Sequence, residues 1–315
     1  MTFKTPRGHV HAVNGMSFHI NPGESLGILG ESGSGKSVSV GAVMGLLESP
    51  PAIIEGQVNY RGTEMINAPT SVTRNIHGDR IAMIYQDAIT SLNPGLTIGS
   101  QIGELFKVHR PQMPRREIRG KAVELMSAVG IQSPAERVNS YPHEFSGGMN
   151  QRIMIALGIA LGPDILIADE PTTALDVTVQ AQIMRLLSDL RRQSGMALIL
   201  ITHDIGVVAE NTDRILVMYG GRPVETGPTS TVIEHPAHPY TIGLMNSIPQ
   251  ESMKGHKLNA ISGSPPKLNR MPQGCVFAPR CPLAKDICRT ERPDMTPITS
   301  DHSSACHFAH EVVHG

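Results

Sequence analysis

The chain has 315 residues, a formal net charge of -1, 40% hydrophobic residues and 17% charged residues. At about 150 residues per domain that is one large domain or two smaller ones, with ample chain to bury a core. The composition is that of an ordinary globular protein; it argues against a disordered chain and offers no basic surface for coating nucleic acid. Apolar runs such as Met196 to Ile201 are far shorter than the roughly 20 residues that a helix needs to cross a bilayer. Residues 1 to 13 show no apolar signal core or cleavage site, so the expected compartment is the cytosol and the chain is not expected to span a membrane.

From Ser17 to Leu29 short apolar runs flank Asn21-Pro22-Gly23, a pattern that predicts two strands and a tight turn leading into Gly30. Val38 to Leu47 reads as a helix stopped by Ser49-Pro50-Pro51. Between them lies Gly30-Glu31-Ser32-Gly33-Ser34-Gly35-Lys36-Ser37, which fits G-x-x-x-x-G-K-[ST] after a strand and at the opening of a helix. In such a phosphate loop, glycines let backbone N–H groups wrap the phosphates. The helix N-terminus adds its positive end, Lys36 reaches the β and γ phosphates, and the Ser37 hydroxyl ligates Mg²⁺. An ordinary glycine turn would leave the Lys36-Ser37 pair unexplained, and a dinucleotide-binding loop has a different glycine spacing.

The stretch from Arg74 to Arg137 is polar and interrupted by Pro94, Pro111 and Pro114, and Arg116 to Val129 is helical in pattern; it reads as a mostly helical insert. Next come Phe145-Ser146-Gly147-Gly148-Met149-Asn150-Gln151-Arg152 and a helix from Ile153 to Leu161, with Ser146 a candidate N-cap. The continuous apolar runs Ile165 to Ala168, Ala197 to Ile201 and Ile215 to Met218 predict strands covered on both faces. Val179, Ile183, Leu186, Leu187 and Leu190 fall on one helical face between the first two runs, and strands alternating with helices predict a parallel sheet. Asp169 and Glu170 close the first run; Asp169 is placed to hold Mg²⁺ and Glu170 to orient or deprotonate an attacking water. An apolar run followed by Asp-Glu is usually structural, and only the phosphate loop upstream gives the pair its chemical meaning.

The segment Ser146 to Arg152 resembles the signature motif of ATP-binding-cassette ATPases. The family implies an α/β P-loop NTPase cassette with a mixed or parallel sheet core and a helical subdomain, here about residues 90–160. It also implies a working dimer in which Ser146, Gly147 and Gly148 of one subunit close over the ATP held by another. Asn150 stands where an arginine is frequent in near relatives. On the same resemblance Gln86 corresponds to the glutamine that touches Mg²⁺ and signals to the membrane subunits, Asp176 to the loop that crosses the dimer interface, and His203 to the histidine that contacts the γ-phosphate. Phe3 is the candidate for the aromatic ring that stacks on adenine, with a plain core residue as the other reading. Relatives usually carry a further strand before this point.

After Gly227 the composition shifts, with nine prolines between Pro228 and Pro282. His235-Pro236-Ala237-His238-Pro239-Tyr240-Thr241 resembles the tail of the ATP-binding subunits of oligopeptide, dipeptide and nickel importers. The expected division is therefore a nucleotide-binding domain over 1–227 and a loop-rich extension over 228–315. Histidines and prolines in such a loop need carry no chemistry.

Cys275, Cys281, Cys288 and Cys306 lack the C-x₂₋₄-C pairs usual for structural zinc. Their spacing is similar to that of dipeptide-permease subunits with a 4Fe–4S cluster; a cluster, zinc or unliganded thiols remain the three readings. The resemblance implies ATP and Mg²⁺ as ligands and ATP hydrolysis as the activity. As partners it implies a second, non-identical cassette, two transmembrane permease subunits and an extracytoplasmic peptide receptor, at the cytoplasmic face of the cell membrane. Nickel, glutathione or glycosides are the alternative cargoes. A soluble cassette ATPase acting on nucleic acid is the rival class, disfavoured by the near-neutral charge.

Overall fold

The computed structural model describes residues 1–6, 8–247 and 261–314. Pro249 lies outside them. The strands are, in chain order, β1 (Thr2–Thr5), β2 (Gly8–His11), β3 (Ser25–Leu29), β4 (Ala52–Ile53), β5 (Asn59–Tyr60), β6 (Thr63–Glu64), β7 (Ile81–Ile84), β8 (Ile165–Asp169), β9 (Ala197–Thr202), β10 (Arg214–Tyr219), β11 (Arg222–Pro228), β12 (Thr296–Pro297) and β13 (Ser303–Ser304). The chain forms two compact units, one of residues 1–20, 25–66 and 200–315 and one of residues 21–24 and 67–199.

In the first unit the strand order runs β12-β13-β11-β10-β3, followed by the Leu200–Thr202 part of β9. β10 pairs with β3 in parallel, Leu216 opposite Ile28 and Val217 opposite Leu29, while β11 and β13 add antiparallel pairs. The sheet is therefore mixed. Its antiparallel turn is made by Gly220 and Gly221, both at positive φ (56° and 77°), the two-residue loop whose twist suits a hairpin. A three-stranded sheet, β2-β1-β4, and the β5-β6 hairpin complete the strands of this unit.

The core of this unit joins residues far apart in the chain. Leu29, Ile215, Val217 and Tyr219 of the sheet pack with Tyr240, Val276, Phe277, Cys275 and Cys288 in one buried cluster. Phe277 meets Tyr219, Tyr240 and His238 at ring-centroid distances of 5.2, 5.4 and 5.8 Å. The fully buried Glu225 carboxylate accepts the Ala237 and His238 N–H groups (2.6 and 3.1 Å) and lies 2.8 Å from His302 Nε2. Three polar partners offset what an isolated buried carboxylate would cost.

In the second unit the order runs from the Ala197–Ile199 part of β9 through β8 to β7, with β7 and β8 parallel and Met83 opposite Ile167. Helices Ile98–His109, Arg115–Ala128, Gly147–Ile159 and Val177–Ser194 belong to this unit. Their apolar faces bury Ile102, Phe106, Ile118, Met126, Ile153, Ile155, Ile183 and Leu187. A side chain at Gly158 would stand 3.1 Å from Ile84 and Leu166, so a glycine there lets its helix lie close on β7 and β8.

Three local expectations change. Residues 17–20 belong to no strand, so the Asn21-Pro22-Gly23 turn leads into β3 without a paired strand before it. The helix after the phosphate loop is Lys36–Val43 and ends at Gly45 (φ 63°), where the Leu46 N–H bonds Gly41 O and the Gly45 N–H bonds Ala42 O; this paired closure, not Pro50, is its stop. The signature helix starts at Gly147 rather than Ile153, because Ser146 caps it and takes both glycines into its first turn.

Candidate nucleotide site

In the first unit the phosphate loop joins β3, buried at all five positions, to the helix Lys36–Val43. Gly33 and Gly35 adopt positive φ (77° and 97°), which L side chains resist. Close approach adds a second demand for glycine. A Cβ on Gly30 would collide with the Met218 carbonyl oxygen of β10, and one on Gly35 with the Ala12 carbonyl oxygen. The loop is further held by the Gly221 N–H donating to Ser34 O (3.0 Å).

Lys36 is only 5% exposed, and its ammonium donates to Gly30 O (2.7 Å) and Glu31 O (3.1 Å), so it sits folded over its own loop. The Lys36 helix has no side-chain cap bond and no acidic residue in its first turn, leaving the dipole's positive end uncompensated from within. Ser34 Oγ is buried without a hydrogen-bond partner. Ser37 is exposed at the second helical position. A cradle of glycine backbone, an ammonium, an orphaned hydroxyl and an open helix end fits a phosphate chain.

His203 follows β9 and is exposed, and the next residue, Asp204, caps the helix Ile205–Asn211 through the Gly206 and Val207 N–H groups. Phe3 lies in β1, half-buried, opposite Val10 and Ala52.

In the second unit β8 delivers Asp169, 5% exposed, as its last residue, with Glu170 immediately after. Glu170 takes a positive φ of 46°, a backbone state that costs a non-glycine residue on the order of 1 kcal/mol and that clusters at functional positions. Gln86, two residues past the end of β7, donates from Nε2 to Glu170 Oε2 (3.0 Å), and Thr173 Oγ1 donates to the same oxygen (2.8 Å). The carboxylate is thus steered by an amide and a hydroxyl, with its orientation set by two loops. Thr173 was not among the expected site residues. Its signal lay in the three-residue step from Glu170 around a turn in which the Thr173 N–H bonds Glu170 O (3.2 Å).

Ser146 is the N-cap of the helix Gly147–Ile159 and accepts the Met149 N–H (3.4 Å), while Ser146 and Gly147 stay exposed. A Cβ on Gly148 would lie 2.9 Å from Val179, so this glycine lets the signature helix approach the helix Val177–Ser194. Asp176 caps that second helix by accepting the Val179 N–H (3.0 Å). Asn150 is buried and donates to Pro142 O (3.0 Å), so its side chain serves the loop in front of the motif.

The cysteines form a separate cluster. All four are free and line one cavity of about 20 Å³, room for roughly one water. Burial pushes the thiols of Cys275, Cys281 and Cys306 up, that of Cys306 to about 11. Among the described residues no group of three or more His, Cys, Asp or Glu side chains could hold a metal ion, so the expected 4Fe–4S cluster is not supported. The donors are of the right kind, but burial favours the protonated thiol at Cys275, Cys281 and Cys306 over the thiolate a metal needs.

The ABC transporter family profile matches residues 13–173, more than half of the chain and inclusive of both carboxylates and the phosphate loop. The chain belongs to the ABC transporter family. It is one of that family's ATP-binding, ATP-hydrolysing subunits. A second profile, the C-terminal region of oligopeptide/dipeptide transporters, matches residues 224–288. Among curated relatives, the oligopeptide transport ATP-binding protein OppD of Salmonella typhimurium is 48% identical over 93% of this chain and 87% of the relative. OppD of Escherichia coli is 46% identical over 97% of the chain and 90% of the relative. Among solved structures, the ATP-binding cassette MJ0796, a dimer in a post-hydrolysis state bound to ADP and Pi, superposes with a TM-score of 0.65 at 29% identity, covering 72% of this chain and 95% of that one. Among the described residues of this ABC subunit no helix is long and apolar enough to cross a membrane.

Proposed function

We propose that this chain is the motor of an ABC importer for oligopeptides or dipeptides, binding and hydrolysing ATP to drive transport. The observation that carries the reading is the presence in one chain of a complete phosphate loop and paired carboxylates together with the His-Pro-Tyr tail, over near full-length likeness to peptide-transport ATPases. Residues 1–227 act as the nucleotide-binding domain and 228–315 as the extension particular to this transporter group.

In the proposed cycle the loop Gly30 to Ser37 wraps the phosphates, Lys36 moves from its carbonyl partners onto the β and γ phosphates, and Phe3 stacks on the adenine. Ser37, Gln86 and Asp169 are the hard oxygen donors that suit Mg²⁺, which when bound neutralises charge on the β and γ oxygens. Glu170, steered by Gln86 and Thr173, orients and deprotonates the attacking water, and His203 contacts the γ-phosphate. Ser146, Gly147 and Gly148 of a second, related cassette close over the nucleotide, and Asp176 lines the interface between the two. Two membrane-spanning permease subunits dock near Gln86 on the cytoplasmic face and turn closure and reopening into alternating access, while a receptor on the other side supplies peptide.

The test is ATPase activity of the chain assembled with its partner subunits in membranes, with and without receptor loaded with short peptides. Peptide-dependent stimulation that disappears in Lys36→Ala is the expected result; turnover indifferent to peptide would overturn the cargo assignment.

A further inference from the structure

The Arg280 side chain is 6% exposed, and every one of the five N–H donors of its guanidinium has an acceptor. Nη1 donates to Glu31 Oε2 (2.7 Å) and to Tyr219 Oη (3.1 Å), Nη2 to Glu31 Oε1 (3.1 Å) and Ile261 O (3.2 Å), and Nε to Ser262 O (2.9 Å). Two of these bonds make a parallel fork on one carboxylate, the geometry that fixes orientation as well as distance. Burial opposes the charge on Arg280, but the bonds to Glu31 and Tyr219 outweigh it and hold the guanidinium firmly protonated. The carboxylate in the fork belongs to the second residue of the phosphate loop. The main chain of that residue is also held from the C-terminal segment, because the Glu31 N–H donates to Tyr240 Oη (3.0 Å). Tyr240 is fully buried and tilts against Tyr219 at a centroid distance of 4.6 Å, so its hydroxyl cannot follow the loop if the loop moves.

Glu31 also shapes the loop. Its carbonyl accepts the Ser34 N–H (3.2 Å), which closes the turn, and with Gly30 O it holds the Lys36 ammonium. We propose that Arg280 and Tyr240 are positioning residues for ATP binding: by clamping Glu31 at side chain and backbone, the C-terminal segment sets the shape of the phosphate loop and hence its affinity for nucleotide. The inference rests on the reading of Gly30 to Ser37 as the phosphate site. It assigns to residues 240 and 280, which touch no phosphate, control over a loop 209 and 249 positions earlier.

The experiment measures binding of a fluorescent ATP analogue to the purified full chain and to Arg280→Gln, Arg280→Lys, Glu31→Gln and Tyr240→Phe, with melting temperatures taken alongside. Losing a charge-assisted fork in Arg280→Gln or Glu31→Gln is expected to weaken binding about tenfold, and Tyr240→Phe, which keeps the packed ring, about threefold. Arg280→Lys keeps the charge without the fork and is expected to fall between wild type and Arg280→Gln. The double variant Arg280→Gln/Glu31→Gln is expected to bind no worse than the weaker single, since both remove one interaction. Under saturating ATP the turnover of Arg280→Gln, Arg280→Lys and Tyr240→Phe is expected to stay within about threefold of wild type, a KM effect without a matching kcat effect. Wild-type affinity in Tyr240→Phe and Arg280→Lys together with lowered melting temperatures would reduce these residues to stabilisers and overturn the proposal. A wild-type chain that does not bind the analogue would instead overturn the nucleotide-site reading beneath it.

Discussion

Removing the Phe277 ring tests whether the C-terminal segment is part of the nucleotide unit's core. The side chain is 2% exposed, and replacing it by alanine returns roughly 150 Å² of apolar surface to a void, worth about 4 kcal/mol at 25 cal/mol per Å². The neighbours that would collapse into the gap are Tyr219, Tyr240 and His238, each tied by its own hydrogen bond, so little relaxation is expected and the loss should fall in the upper half of the ~3–5 kcal/mol range for buried aromatic truncations. Set against a total of about 5–15 kcal/mol for a domain, that is a large fraction of its stability. Urea unfolding followed by circular dichroism gives the magnitude, and hydrogen exchange gives the location. The reasoning requires that amides of β3 and β10 lose protection together with those of residues 261–314. A loss below about 1 kcal/mol, or fast exchange confined to residues 261–314 while β3 and β10 stay protected, would refute it.

Gly30→Ala places a methyl group on the Met218 carbonyl oxygen, so either β10 or the loop must shift; a cost of about 1–3 kcal/mol in stability and a weakening of ATP-analogue binding by more than tenfold are expected, and binding within twofold of wild type would contradict the contact. His238 is buried against its charged form, with its pKa lowered to about 3, and its Nδ1 accepts the Tyr240 N–H (3.0 Å). Only the unfolded chain takes up this proton below the ordinary value of about 6.5, so the stability is fully present above that pH and falls by up to about 1.4 kcal/mol per unit as pH drops towards 3. His238→Asn keeps an acceptor and removes the titration, so its melting temperature should fall less than wild type's between pH 6.5 and 5; parallel curves would rule the mechanism out. Thr173→Ala removes a hydroxyl donor to Glu170 Oε2 and should lower turnover several-fold while leaving analogue affinity unchanged, and an unchanged turnover would remove Thr173 from the site.

The parts of the site that could be read in the sequence are those carried by a few consecutive residues. The phosphate loop needs its glycines and lysine at fixed offsets after a strand, and β8 announces itself by an unbroken apolar run ending in Asp169 and Glu170. Ser146 reads as an N-cap from its place before a helical pattern and is one; Asp176, which only the family likeness singles out, is an N-cap as well, a role that Ser and Asp signal locally. What stayed hidden is pairing at long range. Nothing periodic marks Arg222–Pro228 as the antiparallel neighbour of β10, although the Gly220-Gly221 dipeptide is a hairpin signal that went unread. Tyr240, Phe277 and Arg280 sit in proline-rich sequence with no regular pattern, and their meaning depends on Tyr219 and Glu31, which the chain reaches only after folding. The cysteine spacing likewise carried no information on cavity size. Gly45 ended a helix credited to prolines further on, because a left-handed closure needs only one glycine.

The most direct test of the account is phosphate release from ATP by the purified full chain beside its Glu170→Gln variant, with binding of a fluorescent ATP analogue measured on both. The variant keeps the Oε1 acceptor of the side chain but loses the base, so it is expected to bind the analogue as wild type does while turnover falls by about 100-fold or more. Equal turnover in the two proteins, or an absence of nucleotide binding in wild type, would contradict the assignment of this chain as an ATP-driven motor.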